Sequence, residues 1–378
     1  AVENAIQAVD DFFQFLHVES LGQKDRSRLV EKGRLPMEVF PPLSLVLRKL
    51  VELGELCEDE TAKLEIKDQA KRMQAYLHGL SEVFDLKNPD AVYWMERTGK
   101  KNQIIHLRSA PLKVAEILRE ELFAKQSSII MTSATLTRKG KADSFRKEVG
   151  VDEAEDRVVK SPFDYENNMQ VRIMSDFPEP QGRNRALYLK CLVKAIDSAA
   201  RSMEGGTLVL FTNYADLEYC YHNLRGPWSK LGRSVYAQGQ GFSRSELRNK
   251  MVEEGDVLLL GAESFWKGFD AKGPCLSQVI LTRLPFENPG HPIMEAKTER
   301  LEAEGKSSFM EITIPKAVIR FRQGIGRLIR SHTDVGDLLI LDSRILNKRY
   351  GAHFLSELPG GGYELEQIGE MMGEVETE

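Results

Sequence analysis

Cysteine is scarce. The 378 residues hold four, Cys57, Cys191, Cys220 and Cys275, and none lies close to another in sequence. That excludes a zinc knuckle or an iron–sulfur run within the chain. Reduced, structural thiols in a cytosolic protein are the expectation. The seven histidines are equally scattered, so no metal ligand is expected among them. Long hydrophobic runs are also missing. Nothing approaches the ~20 apolar residues of a membrane span, and runs such as Val257-Leu258-Leu259-Leu260 are only strand-sized. No membrane partner is expected. The opening AVENAIQAVDDFFQF carries acids where a secretory signal needs a basic region, so a cytoplasmic location is expected. Ala1 in place of Met suits a processed or excised piece. No strong excess of one charge exists either. A net charge of −5 with 52 basic residues excludes a histone-like polycation, but leaves room for a local basic groove. Repeats are absent. So are G-x-x-x-x-G-K-[S/T] and D-E-A-H, which leaves no loop of that kind to cradle phosphates and no acidic box for magnesium.

What is present divides the chain by texture. Its length allows two or three domains. Residues 1–98 read as helical, with apolar positions three and four apart over 1–20, 42–57 and 61–84, and charge on the opposite faces. Pro36, Pro41 and Pro42 part the first helix from the second, and Asn88-Pro89 ends the third. The expectation is an all-helical hairpin or small bundle. A strand at 103–107, a helix around 111–123 and a strand at 128–131 running into Thr132-Ser133-Ala134-Thr135-Leu136 follow. After about residue 140, six apolar strands are expected, at 171–175, 207–211, 234–237, 257–261, 278–281 and 337–341. Helices at 185–203, 216–224, 244–253 and 314–328 separate most of them. Such alternation means an α/β fold with a parallel sheet buried on both faces. The Gly-rich, then acidic, tail from 359 is expected to fray.

The densest chemistry lies at Gln323-Gly324-Ile325-Gly326-Arg327-Leu328-Ile329-Arg330. On a helix, residues three apart share a face, so this face offers an amide, a close backbone approach and two cations. Such a face suits a triphosphate, because arginine stabilises charge on a transferring phosphoryl group. A solvated basic helix is the bland alternative. A dinucleotide loop is excluded by the missing third glycine and the arginines that follow. Three more segments fall at expected strand ends: Ser133-Ala134-Thr135, Phe211-Thr212-Asn213-Tyr214 and Ser264-Phe265-Trp266-Lys267-Gly268-Phe269-Asp270.

In this order the segments resemble the superfamily 2 helicases, specifically the XPD/DinG type. The resemblance covers about 101–358 and is carried by SAPLKVAEILRE, TSATL, SFWKGFDAKG, LPFENPGHP and QGIGRLIRS. It implies a RecA-like parallel sheet with flanking helices. Residues 1–98 would be the arch insertion, 99–140 the returning edge of the first motor domain, 141–358 the second motor domain and 359–378 a tail. It implies that Ser133 and Thr135 couple nucleotide state to domain movement. Thr212 and Asn213 would touch the nucleic-acid backbone, unless they form an ordinary Asx turn. Gln238 and Ser264 would lie along the strand groove. Gly268 and Asp270 would border the nucleotide, and Gln323, Arg327 and Arg330 would face it, the two arginines as fingers. Phe265 and Trp266 read as core rather than base contacts. Lys267 departs from the family's usual glutamate and makes a phosphate contact there conceivable.

The resemblance further implies that the phosphate loop and acidic box precede this chain, which starts just after the acidic box. ATP and Mg2+ would then be bound with a missing amino-terminal motor domain, and any iron–sulfur cluster would lie upstream. The implied activity is 5′→3′ movement along single-stranded DNA, with ATP hydrolysis that this chain alone does not perform. A non-hydrolysing module that binds nucleic acid or protein is the alternative. A DinG-type nuclease is the third reading, and it would need clustered acids for metals.

Overall fold

The apolar runs after residue 140 assemble into one parallel sheet. A computed structural model describes residues 1–22, 24–98, 104–137, 140–159, 161–180, 184–271, 273–287 and 289–369. Strands are numbered along the chain. The sheet contains β4 (Met169–Met174), β5 (Thr207–Leu210), β6 (Ser234–Ala237), β7 (Val257–Gly261), β8 (Gln278–Leu281), β9 (Gly336–Ile340) and β10 (Glu364–Glu366). Their spatial order is β10-β4-β9-β8-β5-β7-β6, and every neighbouring pair is parallel. Alternate residues feed two cores. Leu208, Leu210, Leu259, Val279, Leu338 and Ile340 pack on one face with Phe321 and Ile325 of the helix Ile314–Ile325. Val209, Leu258, Leu260, Ile280 and Leu339 pack on the other, against the helices Arg185–Arg201 and Tyr214–Lys230. This is the RecA-like α/β architecture, and all six expected strands are present to within two residues at either end.

Two elements run past their expected limits. The helix from Tyr214 continues through Pro227 to Lys230. Trp228 anchors it: the side chain is fully buried, its indole N–H donates to Asp197 Oδ1 at 2.7 Å, and Arg233 lies 4.4 Å above its ring. That packing outweighs the proline's usual cost inside a helix. The tail is not wholly frayed, because residues 364–366 form β10 beside β4. The Arg172 guanidinium ties them, bonding Asp337 at 2.6 and 2.7 Å and Glu366 at 2.8 Å. Residues 370–378 lie outside the described residues.

This sheet belongs to one compact unit, Thr132–Lys141, Asp156–Glu287 and Ser307–Glu378. The other comprises Ala1–Met131, Ala142–Glu155 and Asn288–Lys306. The latter contains the expected helices, at Val2–Phe15, Phe40–Leu56 and Glu60–Asp85. Pro41 and Pro42 occupy the first turn of the second helix instead of preceding it, where a missing N–H costs nothing. The unit is not all-helical, however. An antiparallel sheet joins β1 (Arg26–Leu29), β2 (Ala91–Thr98) and β3 (Ile104–Pro111). Tyr93 and Met95 of β2 face the helices, while Val92 and Trp94 face Ala296 and Ile293 of a helix at Pro292–Ala303. Burial on both faces makes a continuous apolar run, which hides the alternation that marks a strand. Strand β3 replaces the shorter expected strand, of which Gln103 lies outside the described residues. The helix expected around 111–123 spans Val114–Glu121.

The strand expected at 128–131 is absent. Ile130 is 90% exposed and Met131 38%. Its residue types favour a strand, but a strand must satisfy its backbone groups with a neighbour. Among the described residues nothing pairs with this segment.

Candidate functional site

After β7 the chain makes one helical turn, Glu263–Trp266, and continues without regular structure through Ala271. Aromatic anchors hold this loop. Phe265 and Trp266 are fully buried, as core residues. The Trp266 indole N–H donates to the Phe211 carbonyl at 2.8 Å, and the Phe265 ring is 5.0 Å from Phe269. Gly324 lets the helix Ile314–Ile325 come close: a Cβ there would lie 2.8 Å from Trp266 Cζ3 and 3.3 Å from Leu210 Cδ1. Both neighbours are packed, so Gly324→Ala should destabilise the protein by about 1–3 kcal/mol through overpacking. Urea unfolding measures it, and an unchanged midpoint would mean that the indole yields freely.

Four arginines lace the loop's carbonyls. Arg327 donates to the Phe269 oxygen at 2.9 Å and the Trp266 oxygen at 3.0 Å. Arg330 donates to Phe269 at 3.2 Å and pairs with Asp270 at 3.5 Å. Arg248 donates to the Asp270 carbonyl at 2.6 Å, and Arg244 reaches the Ser264 and Lys267 carbonyls at 3.4 Å. Gly268 turns the loop with φ +75°, a left-handed conformation that favours glycine. Lys267 beside it is exposed. Burial, with the Arg330 charge next, pulls the Arg327 pKa down to about 10, and Asp270 offsets part of this. Arg327 Nε, Arg330 Nε and Gln323 Oε1 are buried without a hydrogen-bond partner. The Arg330, Asp270 and Arg244 charges all act on Arg327. Phosphate oxygens are stronger acceptors than the neutral carbonyls these arginines now hold. The arrangement can therefore receive an anion. Gln323, Arg327 and Arg330 are the residues able to hold the phosphates of a nucleotide, and Asp270 is the carboxylate beside them.

A second cluster joins the carboxyl ends of β5, β6 and β7. Gln238 donates Nε2 to the Tyr214 hydroxyl at 2.7 Å and to Ser264 Oγ at 3.1 Å, and its Oε1 accepts from the Ala262 N–H at 2.9 Å. Gln238 and Ser264 are thus brought together, with the Tyr214 side chain 45% exposed beside them. Asn213 is differently engaged. Its Oδ1 accepts the Asp216 N–H at 2.8 Å and caps the helix, while Nδ2 bonds the Asp216 carboxylate at 3.0 Å. Asn213 is thus a helix N-cap rather than the Asx turn weighed as the alternative, which leaves half-buried Thr212 as the polar group of that pair not occupied by a cap.

Asp216 was not singled out by sequence reasoning, nor were Arg185, Arg244, Arg248 and Arg283. Asp216 is 1% exposed and pairs with both Arg185 and Arg283. Arg283 also bonds the Tyr188 hydroxyl at 3.0 Å. This network lies where the connections leaving neighbouring β5 and β8 depart in opposite directions, the crevice at which α/β sheets bind ligands. A charged residue immediately beyond a strand, as Arg283 is, was the available sign.

Ser133 and Thr135 lie near one another in the same unit as these motifs, their hydroxyls 3.1 Å apart and the Thr135 N–H donating to Ser133 Oγ at 3.2 Å. The Thr137 carbonyl accepts from Arg322, next to Gln323, at 2.9 Å.

A helicase C-terminal domain model matches residues 196–361. The 3'-5' exonuclease DinG of Bacillus subtilis is 35% identical over 294 residues, covering 76% of this chain and 32% of that protein. The ATP-dependent DNA helicase YoaA of Escherichia coli is 33% identical over 325 residues, covering 84% of this chain and 49% of that protein. The chain spans half or less of the length of such curated relatives. A solved XPD helicase matches with a TM-score of 0.63 at 14% identity, covering 97% of this chain and 62% of that one. An apo XPD gives the same score and identity, at 96% and 69%. At this identity the structures speak for the fold.

Proposed function

For a chain that carries the carboxy-terminal region of an XPD/DinG-type superfamily 2 helicase, we propose the role of lid and strand-binding half in an ATP-dependent DNA motor. The whole protein would move 5′→3′ along single-stranded DNA, a polarity taken from the family. The observation that supports this reading best is the loop 264–270. Arg327 and Arg330 tie it to the segment that bears Gln323, Arg244 and Arg248 tie it to the helix Arg244–Glu254, and the buried Arg327 and Arg330 Nε atoms remain without acceptors. Arg327 and Arg330 would exchange neutral carbonyls for phosphate oxygens as the cleft closes. Fixed cations there stabilise charge developing on the transferred phosphoryl group. Magnesium would neutralise the phosphates when bound. Its carboxylate ligands belong to an acidic box that this chain lacks.

Thr212, Gln238 and Ser264 supply hydroxyl and amide groups at the sheet's carboxyl edge, suited to the phosphate backbone of a single strand. Movement of the loop would pass to Ser133 and Thr135 through Arg322, which holds the Thr137 carbonyl. Residues 1–98 would serve as the arch, and a cytoplasmic setting follows from the same reading.

The test uses the pure chain. It should bind single-stranded oligonucleotides with an affinity that falls as salt rises, yet show no ATP turnover above background with or without DNA. DNA-stimulated turnover by the chain alone would sink the reading of half a motor. Absence of binding to both DNA and nucleotide would instead favour a protein-binding module.

A further inference from the structure

Arg320 precedes Gln323 by three residues on the helix Ile314–Ile325, so the two side chains share a face. Its guanidinium lies 5.5 Å from the centre of the Trp266 ring. Arg320 is half-buried, its Nε is buried without a hydrogen-bond partner, and among the described residues no protein acceptor or ion pair engages the group. The nearby acids do not neutralise it. Glu287 pairs with Lys316 at 3.2 Å, and Glu263 acts only from a distance. This cation–π contact with the indole uses none of the N–H groups as hydrogen-bond donors.

A buried arginine without an acceptor is costly for stability alone. Beyond the end of the same helix, the Nε atoms of Arg327 and Arg330 are likewise buried without acceptors. Guanidinium N–H groups left without acceptors, on a helix and just past its end, suit an anion that has yet to enter. Trp266 has a double duty in this arrangement. It anchors the loop through the Phe211 carbonyl and presents its ring to Arg320.

We infer that Arg320 is a phosphate-binding residue, its guanidinium held over Trp266 so that its free N–H groups take the oxygens of a phosphate entering the face that bears Gln323. This inference rests on the nucleotide- and strand-binding reading above. The phosphate is either a group of a nucleoside triphosphate or a backbone group of a single strand. Both present the same oxygens.

The experiment titrates the chain and its Arg320→Gln and Arg320→Lys variants with ATP, adenosine and a 12-residue oligothymidylate at several salt concentrations. Arg320→Gln should weaken one phosphate ligand about tenfold, as loss of a charge-assisted contact does, and Arg320→Lys should restore part of it. Weakening for the oligonucleotide, with the salt slope reduced by about one, identifies a backbone phosphate. Weakening for ATP but not adenosine identifies a nucleotide phosphate. If the unaltered chain binds and Arg320→Gln binds both phosphate ligands equally well, this inference falls while the proposed function stands. If the unaltered chain binds neither, both fall. Should the variants melt several degrees lower, the Arg320 Nε–H resonance of the unaltered chain decides instead. It must shift at saturating ligand, and an unmoved resonance overturns the inference.

Discussion

If the whole protein hydrolyses ATP as proposed, Arg327→Ala or Arg330→Ala will lower its kcat roughly 10³-fold, the usual cost of losing an arginine finger. In barrier terms that is about 4 kcal/mol. The expectation follows from where the donors now are. Each guanidinium holds a main-chain carbonyl of the loop 264–270, and each keeps an Nε without a partner. Arg327 is additionally desolvated and pressed by the Arg330 charge, which pulls its pKa down to about 10. Even so it stays protonated at neutral pH, because that value lies well above 7. Its charge is therefore available to a phosphate throughout the working range.

A structural role alone predicts something different. Removing Arg330 leaves the Phe269 carbonyl still bonded to Arg327, and removing Arg327 frees the Trp266 carbonyl. Each loss of such a charge-assisted hydrogen bond costs about 1.5–3 kcal/mol of stability. Steady-state kinetics beside a urea melt separates the two. A kcat within a few-fold of the original, together with a lowered melting midpoint, would make these arginines braces of the loop and nothing more. Lysine at either position should recover little, since it replaces a planar fork by a point charge.

The unit that holds the parallel sheet, second along the chain, was legible because its signals agree. Apolar runs of four or five residues, such as Val257-Leu258-Leu259-Leu260, alternate with helices whose starts are chemically marked, as by Ser243 and Glu246 in their capping box. The segments 211–214 and 264–270 follow β5 and β7 as expected, whereas among the described residues Ser133-Ala134-Thr135 follows no strand. The first unit was less legible. The run Val92–Met95 is buried on both faces by elements far away in sequence, the helix Pro292–Ala303 among them, and no local pattern records such a partner. Residues 128–131 show the converse. Their composition favours a strand, but a strand exists only where another chain segment pairs with it. At the site, the sequence indicated Gln323, Arg327 and Arg330 by spacing. It concealed Arg244, Arg248 and Arg320, because isolated arginines on charged helices look like solvated surface. It also concealed Asp216. An aspartate in the first turn of a helix is ordinary, and only the fold reveals that two arginines converge on it.

Asp216→Ala should destabilise the protein by about 3–5 kcal/mol, the cost of removing one partner from a buried charge cluster. The carboxylate is 1% exposed and accepts from three groups, Arg185, Arg283 and the Asn213 side-chain amide, while the residue's own N–H donates to Asn213 Oδ1 at the helix cap. Alanine keeps the last of these and loses the rest. Arg283, with its side chain 14% exposed, would retain only the Tyr188 hydroxyl and its position over that ring at 4.8 Å. Arg185, at 39%, would turn to water at little cost. The penalty is thus concentrated on Arg283. This gives the prediction an internal control, because Asp216→Ala combined with Arg283→Met should be less damaging than Asp216→Ala alone. The double variant removes the stranded charge along with its partner, so the two effects should not add. Urea unfolding of the two single variants and the double variant measures the coupling. A loss below about 1 kcal/mol for Asp216→Ala, the range of an exposed ion pair, would mean that water already reaches Arg283. The crevice between β5 and β8 would then be open at its floor rather than closed by this network.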